Sequence, residues 1–489
     1  MDSRTCHHAG VRIEFYFDFS CPYAYIASTE IEAIAADSAS PNTQLVWRPM
    51  LLGGVFRGTG LDRSPMEAMG PAKARHNRLD MHRWAEWYGV PLRMPRAHPM
   101  RTLRPLRALL SLPESAWPPV IHGFYRAYWQ EGRDVTNPDT VRAVLAEAGL
   151  SGQAVERAVA ANQDPAIRAE LHRRTDEAVA RGVFGAPTIF LHLPGAGQPL
   201  MLWGQDRLHM VRAVLAGWIP GQGNAPDRDG REIGAVPQAG KPATDSASPG
   251  RDGSAGRVSG PRIETASHSP GEQPGGAGRT LHFWYDFSSP FAYLGSTQIE
   301  HIARRSGAEL VWRPMLLGAV FKQVAMANVP LFAMVEAKRA YIRRDLDRWA
   351  SYWGVPFSFA TQFPQKTVTA LRLALLAGDR IAPLSHALFR AMWVEDGDLD
   401  DLETLAGILA AHGFDADHML ARTRDPAVKQ KLIDNTAEAV ACGVFGAPTS
   451  IVIDSRGDLL FWGQDRLGLV DAALRGWRPD QVDQQISDT

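Results

Sequence analysis

Three blocks of this sequence occur twice in the same order, and that repetition limits the fold more than any other feature. VWRPMLLG stands at 46–53 and 311–318, GVFGAPT at 182–188 and 443–449, and WGQDRL at 203–208 and 462–467. The offset shrinks from 268 (Asp18 against Asp286) through 265 and 261 to 259, which places a few short deletions in one copy. The period is far longer than the roughly 20–50 residues of a solenoid repeat, so each copy is a whole domain. Between them, residues 221–279 contain 13 Gly and 7 Pro and no Leu, Met, Phe, Tyr or Trp. Such a segment buries too little apolar surface to offset its ordering entropy and reads as a disordered linker. The expected organisation is therefore 1–220, linker 221–279, and 280–489.

Composition narrows the function classes. Lys+Arg 52 against Asp+Glu 53 gives a net charge of -1, without the basic excess that nucleic-acid binding needs. No apolar run approaches the length of a membrane-spanning helix. The N-terminal MDSRTCHHAGVRIEF has no apolar segment of a secretory leader, so a cytoplasmic protein is expected. Three cysteines build neither a disulfide framework nor a four-thiolate zinc site. Cys6-His7-His8 has ligand chemistry but sits in a tail, and no metal is expected.

Each copy opens with a strand pattern, IEFYFDF (13–19) or LHFWYDF (281–287). A helix follows whose first residue is Pro22 or Pro290, where a missing N–H costs nothing. QLVWRPM or ELVWRPM is a second strand. The middle is helical, with apolar residues at i, i+3 and i+4 in KARHNRLDMHRWAEWYG and KRAYIRRDLDRWASYWG. A strand after Gly-Ala-Pro, a short hairpin, WGQDRL and a last amphipathic helix complete an α/β domain with a mixed sheet and a helical subdomain.

Three places carry candidate chemistry. Cys21 and Ser289 directly precede the proline that starts a helix, beside unpaired N–H groups and the positive dipole end. There a thiolate is stabilised, so Cys21 is expected below the roughly 8.5 of a free thiol; helix capping is the alternative, for Ser289 especially. Neither copy has C-x-x-C, since Ala24 and Ala292 stand at the fourth positions, so no dithiol cycle operates within one copy. Ala186-Pro187 and Ala447-Pro448 lead into a strand, which marks an edge, a bulge, a cis bond or an ordinary turn. In the cis form the preceding alanine offers its backbone to an extended peptide. Gln205-Asp206 and Gln464-Asp465 lie between strand and helix, where Asp either caps the helix or holds an ammonium group. A site requires all three places to meet at one end of the sheet.

The motifs D-F-S-S-P-F-A-Y-L-G, W-R-P-M-L-L-G-A-V-F-K, the Lys338 to Ala350 helix, G-V-F-G-A-P-T and W-G-Q-D-R-L together resemble the 2-hydroxychromene-2-carboxylate isomerases. These belong with kappa-class glutathione transferases and DsbA, all thioredoxin folds with a helical insertion. The resemblance covers both copies and implies two tandem thioredoxin-like, DsbA-like domains. It implies glutathione as cofactor, with Ser289 bonding its thiolate, Ala447 before a cis Pro448 pairing with its cysteinyl part, and Gln464 and Asp465 at its γ-glutamyl end. Lys338 lies in the helix that faces the substrate in that family, where a lysine would pair with a carboxylate; a solvated helix face is the alternative. In copy one the corresponding residues are Cys21, Ala186, Pro187, Gln205, Asp206 and Lys73. Copy one departs from the pattern at Cys21, and Thr59-Gly60-Leu61 and Val324-Ala325-Met326 lack the asparagine of a T-G-N stretch. The implied activity is reversible thiolate addition to an unsaturated aromatic keto-acid, giving cis–trans isomerisation. The rival readings are a transferase or thiol oxidoreductase using Cys21, and a pseudo-dimer in which one copy is scaffold.

Overall fold

A computed structural model describes residues 10–38, 42–61, 64–221, 278–327 and 329–479. Apart from its end residues, the expected linker lies outside the described residues, as does Cys6-His7-His8. Copy one runs β1 (Arg12–Phe17), α1 (Pro22–Ala36), β2 (Gln44–Pro49), α2 (Leu52–Gly58), α3 (Pro71–Trp87), α4 (Leu103–Leu110), α5 (Trp117–Trp129), α6 (Pro138–Glu147), α7 (Gly152–Ala160), α8 (Pro165–Ala180), β3 (Thr188–His192), β4 (Leu200–Trp203) and α9 (Leu208–Leu215). Copy two repeats this as β5 (Thr280–Tyr285), α10 (Pro290–Ser306), β6 (Glu309–Pro314), α11 (Leu317–Gln323), α12 (Glu336–Trp353), α13 (Val368–Leu376), α14 (Ile381–Trp393), α15 (Leu402–Ala411), α16 (Ala416–Arg422), α17 (Pro426–Ala441), β7 (Thr449–Asp454), β8 (Gly457–Trp462) and α18 (Leu467–Leu474).

Each copy holds one four-stranded mixed sheet, ordered β2-β1-β3-β4 and β6-β5-β7-β8. α1 is the crossover that makes β1 and β2 parallel, whereas β3 returns from the helical insertion antiparallel to β1. Ile13, Phe15 and Phe17 are fully buried, and Glu14 and Tyr16 on the opposite face are buried too, so β1 is covered on both sides. Aromatic contacts fix the sheet to the insertion: Phe17 meets Tyr125 of α5 at 6.1 Å, and Tyr285 meets Phe389 of α14 at 5.6 Å.

The copies pack against each other through elements whose sequence reads as ordinary amphipathic helix. α3 buries His76, Asp80 and Arg83 beside Trp84 and Trp87, and α12 buries Tyr341, Asp345 and Arg348 beside Trp349. These polar residues are covered by the hairpin end of the other copy. Arg83 Nη1 donates to the Leu460 carbonyl at 2.6 Å, and the Trp203 N–H donates to Tyr341 Oη at 3.0 Å. Trp87 meets Trp477, and Trp218 meets Tyr352, at the rim.

Candidate active site

The first two candidate places meet directly. Ser289 takes an extended conformation ahead of α10, where its Oγ accepts the Ala292 N–H at 3.1 Å and donates to the Ala447 carbonyl at 2.9 Å. Both Ala186-Pro187 and Ala447-Pro448 peptide bonds are cis. In copy one the Cys21 Sγ–H donates to the Ala186 carbonyl at 3.1 Å but makes no capping bond to α1. Thus Ser289 both caps α10 and bonds the cis-proline strand, while Cys21 bonds that strand without capping.

Cys21 does not have the lowered pKa expected of it. Its thiol is pushed up to about 12 because burial outweighs the N–H groups of Ala24 and Tyr23 at the helix start. The sequence places Cys21 at a dipole; the packing around it removes the water that a thiolate needs.

The third place joins the other two through the backbone. The Gly204 N–H donates to the Pro187 carbonyl at 3.0 Å, and the Gly463 N–H to the Pro448 carbonyl at 2.9 Å. Gln205–Arg207 and Gln464–Arg466 each form a 3-10 turn packed against α1 or α10. Asp206 and Asp465 lie inside these turns and make no cap bond to α9 or α18, so the capping alternative fails. Gly204 holds a φ of 106° with Asp206 Oδ1 2.3 Å from where a Cβ would be, which only glycine tolerates.

Both aspartates face the other copy. Arg466 reaches from copy two to Asp80, with Nε and Nη2 each 2.9 Å from its oxygens, and Nη1 donates to Asp206 at 2.6 Å while lying 3.0 Å from Asp465. Arg207 reaches the opposite way, to Asp345 at 2.8 Å and Asp465 at 3.4 Å. Burial raises the Asp465 carboxyl above the ordinary aspartate value, with Arg466 and Arg207 opposing that rise. Burial acts on Asp80 in the same sense, but the paired Arg466 prevails and its carboxyl lies below the ordinary value.

Lys73 and Lys338 are not on a solvated face. Both are half-buried, and each lies over an indole of the other copy: Lys73 Nζ is 5.1 Å from the Trp462 ring centre, and Lys338 Nζ is 4.9 Å from that of Trp203. A pair of residues that sequence reasoning passed over, Asp18 and Asp286, organises the site. Asp18 accepts Ser20 N–H at 2.9 Å, Thr102 Oγ1 at 2.6 Å and Leu52 N–H at 2.7 Å, tying three loops to the end of β1. Asp286 does the same through Ser288, Thr367 and Leu317. The available signal was an aspartate closing an otherwise apolar strand in both copies. A cavity of about 350 Å³ in copy one, lined by Leu51, Arg57, His172, Thr175 and Asp176 among others, includes none of the candidate site residues.

The DSBA-like thioredoxin domain matches residues 12–216 and again 280–475. The chain belongs to that family, twice over. Among curated members, the 2-hydroxychromene-2-carboxylate isomerase of Sphingobium xenophagum is 30% identical over 197 residues, spanning 40% of this chain and 98% of that protein. Glutathione S-transferase kappa 1 of Rattus norvegicus is 28% identical over 209 residues, spanning 40% and 91%. A solved 2-hydroxychromene-2-carboxylate isomerase superposes at a TM-score of 0.37 and 23% identity, covering 43% of this chain and 98% of that one. Each of these two curated relatives spans a length close to that of one copy. No helix among the described residues is long and apolar enough to cross a membrane.

Proposed function

We propose that this chain is a glutathione-dependent isomerase of the 2-hydroxychromene-2-carboxylate type, with catalysis at Ser289 and the two copies acting as an intramolecular pseudo-dimer. The observation that carries the reading is Ser289 Oγ sitting 2.9 Å from the Ala447 carbonyl and 3.1 Å from the Ala292 N–H, where the Gln464–Asp465 turn adjoins the cis-proline strand. The named relatives are isomerases and a glutathione transferase. One donor present suits glutathione in copy one: Gln205 Nε2 is buried without an acceptor, as a donor awaiting a carboxylate would be. Asp206 and Asp465 are already paired with Arg466 and Arg207 and would take an α-ammonium group only by sharing them.

Glutathione, when bound, supplies the thiolate that adds to an unsaturated aromatic keto-acid and leaves again after bond rotation. Ser289 turns its hydroxyl from the Ala447 carbonyl to the sulfur and, with the N–H groups at the start of α10, keeps that sulfur ionised. The Ala447 backbone, released from Ser289, orients the extended tripeptide. Asp286 holds the strand end and three loops so that this geometry exists before any ligand arrives.

Copy one is read as the supporting partner. A Cys21 thiol near 12 that donates to Ala186 disfavours the thiol-oxidoreductase alternative, because thiol–disulfide exchange proceeds through the thiolate. Turnover of 2-hydroxychromene-2-carboxylate is expected to fall about 10²–10³-fold in Ser289→Ala, the scale of losing one preorganised donor. Calorimetry with glutathione should show a site weakened by the same substitution. Unchanged turnover in Ser289→Ala overturns the assignment.

A further inference from the structure

The cavity of about 350 Å³ in copy one lies between α2, α4 and α8, and the isomerase reading makes no use of it. Its volume falls within the roughly 300–1,000 Å³ of small-molecule sites. Leu51, Leu103 and Leu171 give it an apolar lining, and Leu171 is only 2% exposed. Two features hold its walls in place. The Leu51 N–H donates to Thr175 Oγ1 at 3.0 Å, and Gly54 brings α2 so close to α8 that a Cβ there would stand 2.8 Å from Thr175 Cγ2. Leu51 and Leu103 each adjoin a residue that Asp18 bonds, Leu52 and Thr102. The cavity therefore borders the loops around Cys21 without including them.

Three polar side chains share the rim: Arg57 from α2, and His172 and Asp176 one turn apart on α8. All three are exposed, and none makes a hydrogen bond or ion pair among the described residues. Arg57 and Asp176 thus present opposite charges to one space without neutralising each other. A purely anionic ligand would meet the Asp176 carboxylate, and a purely cationic one the Arg57 guanidinium. A molecule with both charges on an apolar body complements the whole lining. The guanidinium fork matches a carboxylate, which leaves the ammonium group for Asp176.

Copy two keeps the scaffold but not this chemistry. The Leu316 N–H donates to Thr436 Oγ1 at 3.0 Å, as Leu51 does to Thr175. Yet Lys322, Ile433 and Ala437 stand where copy one has Arg57, His172 and Asp176, so the carboxylate is gone and an isoleucine 57% exposed replaces the imidazole.

We propose that the cavity between α2, α4 and α8 of copy one binds a small zwitterion with an apolar side chain, in chemical class an α-amino acid. Arg57 takes its carboxylate, Asp176 its ammonium group, and the three leucines its side chain. The site is independent of the chemistry at Ser289 and occurs once per chain.

The test titrates the full chain with L-phenylalanine by calorimetry, with and without saturating glutathione. One site per chain is expected, with an affinity that glutathione changes less than twofold. Arg57→Met and Asp176→Asn should each weaken L-phenylalanine at least tenfold. Phenylalaninamide, which lacks the carboxylate, should bind the parent at least tenfold more weakly and Arg57→Met no worse than the parent. N-acetyl-L-phenylalanine, which lacks the ammonium group, should be indifferent to Asp176→Asn in the same way. Leu103→Trp, which fills the cavity and keeps both charges, should abolish binding; Leu103→Phe serves if Leu103→Trp does not fold. L-phenylalanine should also slow hydrogen exchange within 51–58 and 171–176. The proposal is overturned if L-phenylalanine shows no saturable binding, if its affinity ignores both Arg57 and Asp176, if glutathione displaces it, or if protection falls only outside those two segments.

Discussion

Cys21 offers the sharpest numerical test, because sequence and structure predict opposite reactivities for it. Its thiol titrates near 12 in the folded chain. At pH 8 that leaves roughly one part in 10⁴ as thiolate, against roughly a quarter of a free cysteine at about 8.5. The more basic thiolate is the better nucleophile, with a Brønsted slope of about 0.4–0.5, which returns about 30-fold of the loss. Ionisation alone therefore slows thiol–disulfide exchange about 10²-fold, and 6% exposure of the side chain slows it further. The assay is exchange with an aromatic disulfide reagent, with the modified peptides counted by mass spectrometry across pH. Exposed Cys442 is the internal control. Its rate should level off on the alkaline side while that of Cys21 keeps rising about tenfold per pH unit. Modification of Cys21 as fast as Cys442 at pH 7–8, or a plateau below pH 9, would refute the burial argument and restore the thiol-oxidoreductase alternative.

Two further predictions concern the contact between copies. Burial lowers His76 from an ordinary 6.5 to about 4, so the folded state holds fewer protons than the unfolded chain between those values. Stability is thus fully present above pH 6.5 and declines by up to about 3 kcal/mol as pH falls towards 4. His76→Tyr, which copies Tyr341 of the other half, should remove that share of the acid sensitivity in urea titrations and leave the contributions of His98, His209 and His282, which burial also lowers; an unaltered pH profile contradicts the assignment. Asp80→Asn strips Arg466 of its bidentate partner and should cost about 3 kcal/mol, the low end for breaking a buried pair because Asp206 and Asp465 still face that guanidinium. Denaturant unfolding of the full chain reads this directly, and a cost under about 1 kcal/mol would mean the pair is not buried in solution.

Much of the candidate site is legible residue by residue because its causes are local. A proline after Ser289 announces a helix start, a serine there caps it, and Gly-Ala-Pro before a strand admits the cis bond. Asp206 and Asp465 were located but their partners were not, since local spacing suggests capping while the 3-10 turn turns both carboxylates towards the other copy. Asp18 and Asp286 stand out as a matched pair of the repeat, but their bonding role does not, because their partners are 34 and 84, or 31 and 81, residues away.

The amino-acid order alone determined that there are two domains of one kind, that each is an α/β unit with a helical middle, and where the helix start that carries Cys21 or Ser289 lies. Those properties follow from neighbours a few residues apart and from identical blocks in identical order. Only the tertiary structure decided that Cys21 stays protonated, that the polar stripe of α3 and α12 is interior, and that each lysine lies on the opposite copy. Desolvation and pairing depend on which surfaces meet, and residues some 260 to 390 positions apart meet here only because two complete folds press together.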